Sequence, residues 1–308
     1  MTKGDYGKTT SIGKHITGLV WTVLFILQTM PVWASSVGVF VSIAPQKYFV
    51  QKIGGNLVNV SILVPVGADP HTYEPKPRQM VELSKSVLYF AVGIDFEKAW
   101  LKKIAATYPK MRIIHTDEGI AKIPMTDQHQ QEGSIHKNDK KGQQHDGAPD
   151  PHVWLAPAPV KVQAAHILKA LIEADPKNRL PYTAGYDAFL KELDALDGEL
   201  KALFAGRKGE PFMVFHPAWG YFAEAYGLQQ VPVEIEGKEP KAAQLQSLIR
   251  RARERGVKVV FVQPQLSAKS AEMVAREIGG QVVRVDPLAE NWIANMREVA
   301  RKFRAALQ

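Results

Sequence analysis

The sequence has no cysteine among its 308 residues. That excludes a disulfide framework, a thiolate metal site, a cysteine nucleophile and a lipid-modified cysteine behind a leader. Any metal bound here must be held by His, Asp or Glu. Glycine and proline, at 23 and 20 residues, stay near ordinary usage, so a collagen-like or broadly disordered chain is excluded as well. A concentrated basic surface is also lacking. The formal charge is +8, but only Arg250, Arg251, Arg253 and Arg255 cluster, and no aromatic residues interleave with them. A nucleic-acid platform needs that interleaving, so the cluster reads as a solvated helix face and no nucleic-acid partner is expected.

What is present suffices for a sizeable core, with 45% hydrophobic and 9% aromatic residues against 23% charged. Lys3, Lys8 and Lys14 precede the apolar run from Ile16 to Met30, and Pro31-Val32-Trp33-Ala34-Ser35 follows. A basic start, a short apolar stretch and a small residue at its end are the parts of a secretory signal peptide. The run is shorter than the ~20 residues of a membrane span. Residues 1–34 are therefore expected to be a signal peptide cleaved after Ala34. Cleavage removes three Lys and one Asp and leaves a net charge of +6. No later apolar run reaches membrane length.

Short β-branched and aromatic runs recur with helical segments between them. Val37–Ile43, Val58–Val64, Val87–Val92 and Arg112–Ile114 read as strands, as do Phe212–Phe215, Gln230–Ile235, Val257–Val262 and Gln281–Val285. Their near-continuous apolar character indicates strands covered on both faces. The alternation with helices indicates an α/β fold with doubly wound parallel sheets. Between the halves, Tyr182, Tyr186, Phe189, Leu190, Leu193, Leu196, Leu200 and Leu203 recur at spacings of three and four. The expected organisation is a first α/β lobe over 35–177, a long rigid linking helix over 178–206 and a second α/β lobe over 207–308. Thr126–Asp150 is polar apart from Ile135 and Ala148, and it carries His129, His136 and His145; it reads as a mobile loop inserted in the first lobe. No internal sequence repeat is visible.

Of the nine histidines, His15 lies in the signal peptide, His166 reads as a packing or surface residue, and His115 has no supporting context. Three have more. His71 stands in Asp69-Pro70-His71, His152 in Asp150-Pro151-His152-Val153-Trp154, and His216 in Phe215-His216-Pro217, directly after a predicted strand. Asp286 likewise follows a strand. Ligands of open α/β sheets bind at the carboxyl ends of strands, so these side chains are expected in one cleft between the lobes, with His152 joining from a Pro-flanked turn. Proline ahead of the imidazole lowers the entropy lost when a metal orders it. Three imidazoles and one carboxylate suit Zn²⁺; Mn²⁺ prefers more oxygen, and Cu²⁺ or Ni²⁺ bind such donors tightly.

The segments ADPHTYEPKPRQM, DPHVWLAP, FHPAWGYFAEAYGL and EIEGKEPKAAQL resemble those of the zinc-binding solute-binding proteins of bacterial ABC importers, from about Val39 to the C-terminus. The resemblance implies two α/β lobes joined by a single long helix, with the metal between them. It also implies His71, His152 and His216 as ligands and Asp286 as the fourth, which some members replace by water or by an acid near the first histidine. Members that serve manganese usually carry Glu where His216 stands, so zinc is the expected cargo and Mn²⁺ the alternative. The segment 126–150 resembles the His-rich loop of zinc members, though it is short and only moderately rich in His. Glu74, Glu234 and Glu236 are candidates to accept an N–H from a ligating imidazole, and Trp154 and Trp219 are candidates to wall the cleft. The implied role is periplasmic capture of Zn²⁺ by a monomer and delivery to a membrane permease with its ATPase, without enzymatic activity. A rival reading, a secreted zinc hydrolase, lacks both the His-Glu-x-x-His and the Gly-x-Ser-x-Gly signatures.

Overall fold

The computed structural model describes residue 7 and residues 36–125, 148–234 and 240–307. The expected signal peptide, apart from Gly7, and most of the His-bearing segment lie outside the described residues. All eight expected strands form, each within a few residues of its predicted bounds. The first four are β1 (Val37–Val41), β2 (Val58–Ile62), β3 (Leu88–Ala91) and β4 (Arg112–His115). The last four are β5 (Pro211–Val214), β6 (Gln229–Pro232), β7 (Val259–Val262) and β8 (Gln281–Arg284). They build two four-stranded sheets in the orders β2-β1-β3-β4 and β6-β5-β7-β8, with every neighbouring pair parallel. One strand order thus occurs twice without a repeat in the sequence. Parallel neighbours need crossover helices. These are α1 (Ala44–Gly54), α2 (Pro77–Leu83) and α3 (Asp95–Thr107) for the first sheet, and α6 (Gly220–Tyr226), α7 (Ala242–Glu254) and α8 (Lys269–Glu277) for the second.

Helix α4 (Pro157–Ala174) leads into the connecting helix α5 (Arg179–Leu203). Tyr182, Phe189, Leu193, Leu196 and Leu200 form the buried stripe of α5. Its 25 residues span about 38 Å at 1.5 Å each. Gly185 lets α5 lie against α1, because a Cβ there would come within 2.4 Å of the Ile53 carbonyl oxygen. The C-terminal helix α9 (Trp292–Ala306) returns to pack on α5.

Side chains alternate across a strand, and the second sheet shows what each face meets. Phe212 and Val214 join a large core that runs from the first sheet through α5 to Trp292 and Phe303, whereas Met213 and Phe215 join a smaller core under α7 and α8. The large core is therefore shared by both sheets, and Ser35–Gln308 forms one compact unit. Two tryptophans tie the halves together: Trp154 Nε1 donates to the Pro287 carbonyl at 2.7 Å, and Trp292 Nε1 donates to the Trp154 carbonyl at 2.7 Å. Among the described residues no helix is long and apolar enough to cross a membrane.

Candidate metal centre

His71 lies in the connection between β2 and α2, at the carboxyl end of β2. Its backbone N–H donates to Asp69 Oδ1 at 2.9 Å, and Thr72 Oγ1 donates to Asp69 Oδ2 at 3.1 Å, which fixes the turn. The ring Nδ1 is 3.3 Å from Oδ2 of Asp95, the first residue of α3. Asp95 Oδ1 also accepts from Lys98 Nζ at 2.8 Å, and this ammonium, ahead of the His71 bond, holds the Asp95 carboxyl below the ordinary carboxylate range.

His152 repeats the turn. Asp150 Oδ1 accepts the His152 backbone N–H at 2.8 Å and meets the ring Nδ1 at 2.7 Å. Both residues are fully buried, and Trp154 packs with its ring 5.2 Å from the imidazole. Burial pushes the His152 imidazole down from its usual pKa, against the pull of Asp150, and so favours the neutral form that binds metal. His216 leaves the carboxyl end of β5, and its Nδ1 is 2.7 Å from Glu234 Oε2.

Each imidazole thus turns Nδ1 to a carboxylate. A carboxylate only accepts, so Nδ1 carries the proton and Nε2 carries a lone pair. The Nε2 atoms of His152 and His216 are 3.4 Å apart. Two lone pairs facing at that distance repel one another unless a cation lies between them. A tetrahedral ion with metal–nitrogen bonds of 2.0–2.1 Å has ligand–ligand edges of about 3.3–3.4 Å. One ligand atom from each of His71, His152 and His216 lies within 4.8 Å of the others. The donor set therefore fits a metal ion on chemistry, and its His152–His216 edge fits a tetrahedral one on spacing.

His71 and His216 line a cleft of about 1170 Å³, which His115, Asp117 and Lys122 line as well. Beside the cleft is a polar cluster: Glu97 of α3 accepts from the Val92 and Gly93 backbone N–H groups and from Ser42 Oγ. Burial pushes its carboxyl up to about 7.

Asp286, expected as the fourth ligand, stands apart from the histidine group. Its Oδ1 accepts from Gln265 Nε2 at 2.8 Å and from the Leu288 backbone N–H at 2.9 Å, in the turn after β8. Trp154 does flank His152, but Trp219 packs with Phe222 and Phe303 in the core. His115 lines the cleft without joining the trio, and half-buried His166 meets the Glu118 carbonyl at 3.0 Å. Of the three glutamates expected as partners, Glu234 serves; Glu74 is exposed, and Glu236 lies outside the described residues. His129, His136 and His145 lie outside them too. Sequence reasoning missed Asp95 and Asp150 as imidazole partners. Asp150 had a signal, since it opens the same tripeptide as its histidine. Asp95 had none, because only the packing of α3 brings it to His71.

A family model described as the periplasmic component A of the zinc-uptake complex, ZnuA, matches residues 39–306. The chain belongs to this family. Its members are solute-binding proteins of transport systems. A crystal structure of ZnuA has a TM-score of 0.79 and 43% identity, and the match covers 88% of this chain and 99% of that one. The zinc-binding protein AdcA of Streptococcus pyogenes is 26% identical over 252 residues, 79% of this chain but 49% of AdcA, so the chain spans about half the length of that relative. The manganese ABC transporter substrate-binding lipoprotein ScaA of Streptococcus gordonii is 30% identical over 237 residues, 74% of this chain and 72% of ScaA. This metal-binding family thus includes relatives named for zinc and relatives named for manganese.

Proposed function

We propose that this protein captures Zn²⁺ outside the cytoplasmic membrane and hands it to the permease of an ABC importer driven by its ATPase. His71, His152 and His216 hold the ion through Nε2, and water completes the tetrahedron, since Asp286 is not grouped with the three histidines. The observation that carries this reading is the pair of lone-pair-bearing Nε2 atoms on His152 and His216, 3.4 Å apart, which is a tetrahedral zinc edge. Nitrogen donors favour zinc over manganese, which prefers carboxylate and water. The imidazole at 216 adds to this, because members that serve manganese usually carry Glu there. The carboxylates beside the trio, Asp95, Asp150 and Glu234, are committed to imidazoles and not placed as a general base, which fits cargo binding better than hydrolysis. Residues 1–34 serve as the cleaved signal peptide, 35–177 and 207–308 as the lobes, and the mature chain works as a free periplasmic monomer.

Native mass spectrometry of residues 35–308 with one equivalent of Zn²⁺ and excess Mn²⁺ tests the proposal. The expected result is a single zinc retained by the protein and lost by His216→Ala. Manganese in its place, or zinc retained equally by the variant, overturns it.

A further inference from the structure

The three imidazole–carboxylate pairs are not equivalent. His152 and His216 each stand 2.7 Å from a carboxylate whose side chain is 1% and 11% exposed respectively. His71 stands 3.3 Å from Asp95, which is 53% exposed and already holds Lys98 at 2.8 Å. The two partners divide one carboxylate, Lys98 on Oδ1 and His71 on Oδ2.

We propose that Lys98 controls how readily the bound metal is released, by competing with His71 for Asp95. The inference rests on the reading of His71 as a metal ligand. A carboxylate partner orients a ligating imidazole and raises its basicity. An ammonium on the same carboxylate draws off part of that charge, so His71 is left a poorer donor than the other two. His71 also sits on a connection without regular secondary structure and at the open side of the trio, where it is half-buried while His152 and His216 are buried. His152 and His216 therefore form a fixed pair, and His71 is the last ligand to engage and the first to leave. The Lys98–Asp95 pair is an i,i+3 contact on the surface of α3, with the Lys98 side chain 76% exposed. Such pairs contribute little to the fold, so this one is free to act on the metal. Lys98 is in this sense a positioning residue that works through Asp95.

The test is the rate at which a chelator in excess strips Zn²⁺ from the protein, read by stopped flow. Lys98→Met is expected to slow stripping about two- to fivefold, the range that the loss of a surface pair corresponds to. Lys102→Met removes the same charge from the lining of the same cleft without an ion pair to Asp95, and it is expected to leave the rate unchanged. Asp95→Asn is expected to speed stripping and to abolish the effect of Lys98→Met in the double variant. Equal effects of the two lysine variants, or a Lys98→Met effect that survives in Asp95→Asn, would mean general electrostatics and overturn the inference. So would an unchanged rate in Lys98→Met while His71→Ala weakens zinc binding. If His71→Ala binds zinc as tightly as the parent, the metal centre itself is wrong and the inference falls with it.

Discussion

Asp150 holds His152 twice with a single oxygen: Oδ1 accepts the backbone N–H at 2.8 Å and meets the ring Nδ1 at 2.7 Å. The other side of that carboxylate is set by the second half of the chain. A Cβ on Gly220, the first residue of α6, would lie 2.6 Å from Asp150 Oδ2 and 3.1 Å from Ile123 Cδ1. Tyr221 donates its hydroxyl to the Asp150 carbonyl at 3.0 Å, so the contact is pinned next door as well. Asp150 has nowhere to retreat without releasing His152. Gly220→Ala is therefore expected to fold and to weaken zinc binding, approaching the 10–100-fold loss typical when an imidazole loses its carboxylate partner. Competition titration against a zinc indicator, with Asp150→Asn alongside, measures both. Unchanged affinity in both variants would show that Asp150 does not orient the ligand.

Glu97 gives a pH dependence with a definite sign. Burial raises its carboxyl from 4.5 to about 7, so in this range the folded protein holds a proton that the unfolded chain has lost. Folding stability from this group is full below about pH 4.5 and falls as pH rises towards about 7, by at most about 3 kcal/mol. Glu97→Gln is neutral in both states. Urea unfolding at pH 5 and pH 7 should therefore show a smaller fall in stability for the variant than for the parent. Parallel curves would place the Glu97 pKa near its ordinary value.

Trp154 and Trp292 predict where stability is concentrated. Trp292 is fully buried, donates to the Trp154 carbonyl and packs edge-on to Phe49 at 5.4 Å. Trp292→Phe removes volume and leaves a buried carbonyl without its donor. A loss of about 2–4 kcal/mol is expected in urea unfolding. A loss under 1 kcal/mol would mean that the clasp between the halves is incidental.

The central strands β1, β3, β5 and β7 were legible because their side chains are apolar on both faces, and α5 was legible because its apolar stripe runs unbroken from Tyr182 to Leu203. Both signals are local. The three histidines were legible through proline-bearing turns at strand ends, a further local signal. Asp286 showed the same local pattern, yet it is not grouped with the three histidines, and the bonds of its Oδ1 to Gln265 and the Leu288 N–H do not follow from chain position. The Asp95–His71 pair was hidden for the same reason, since 24 residues and a whole strand separate the two. The doubled sheet order was invisible because the two sheets share topology and not residues.

Whether three imidazoles hold the ion can be read from X-ray absorption at the zinc edge on residues 35–308 carrying one equivalent of Zn²⁺. The expected result is a four-coordinate zinc with three histidine nitrogens at about 2.0 Å and one oxygen, and a spectrum that loses one imidazole in His152→Ala. A zinc surrounded mainly by oxygen, or one whose imidazole count is the same in that variant, would contradict it.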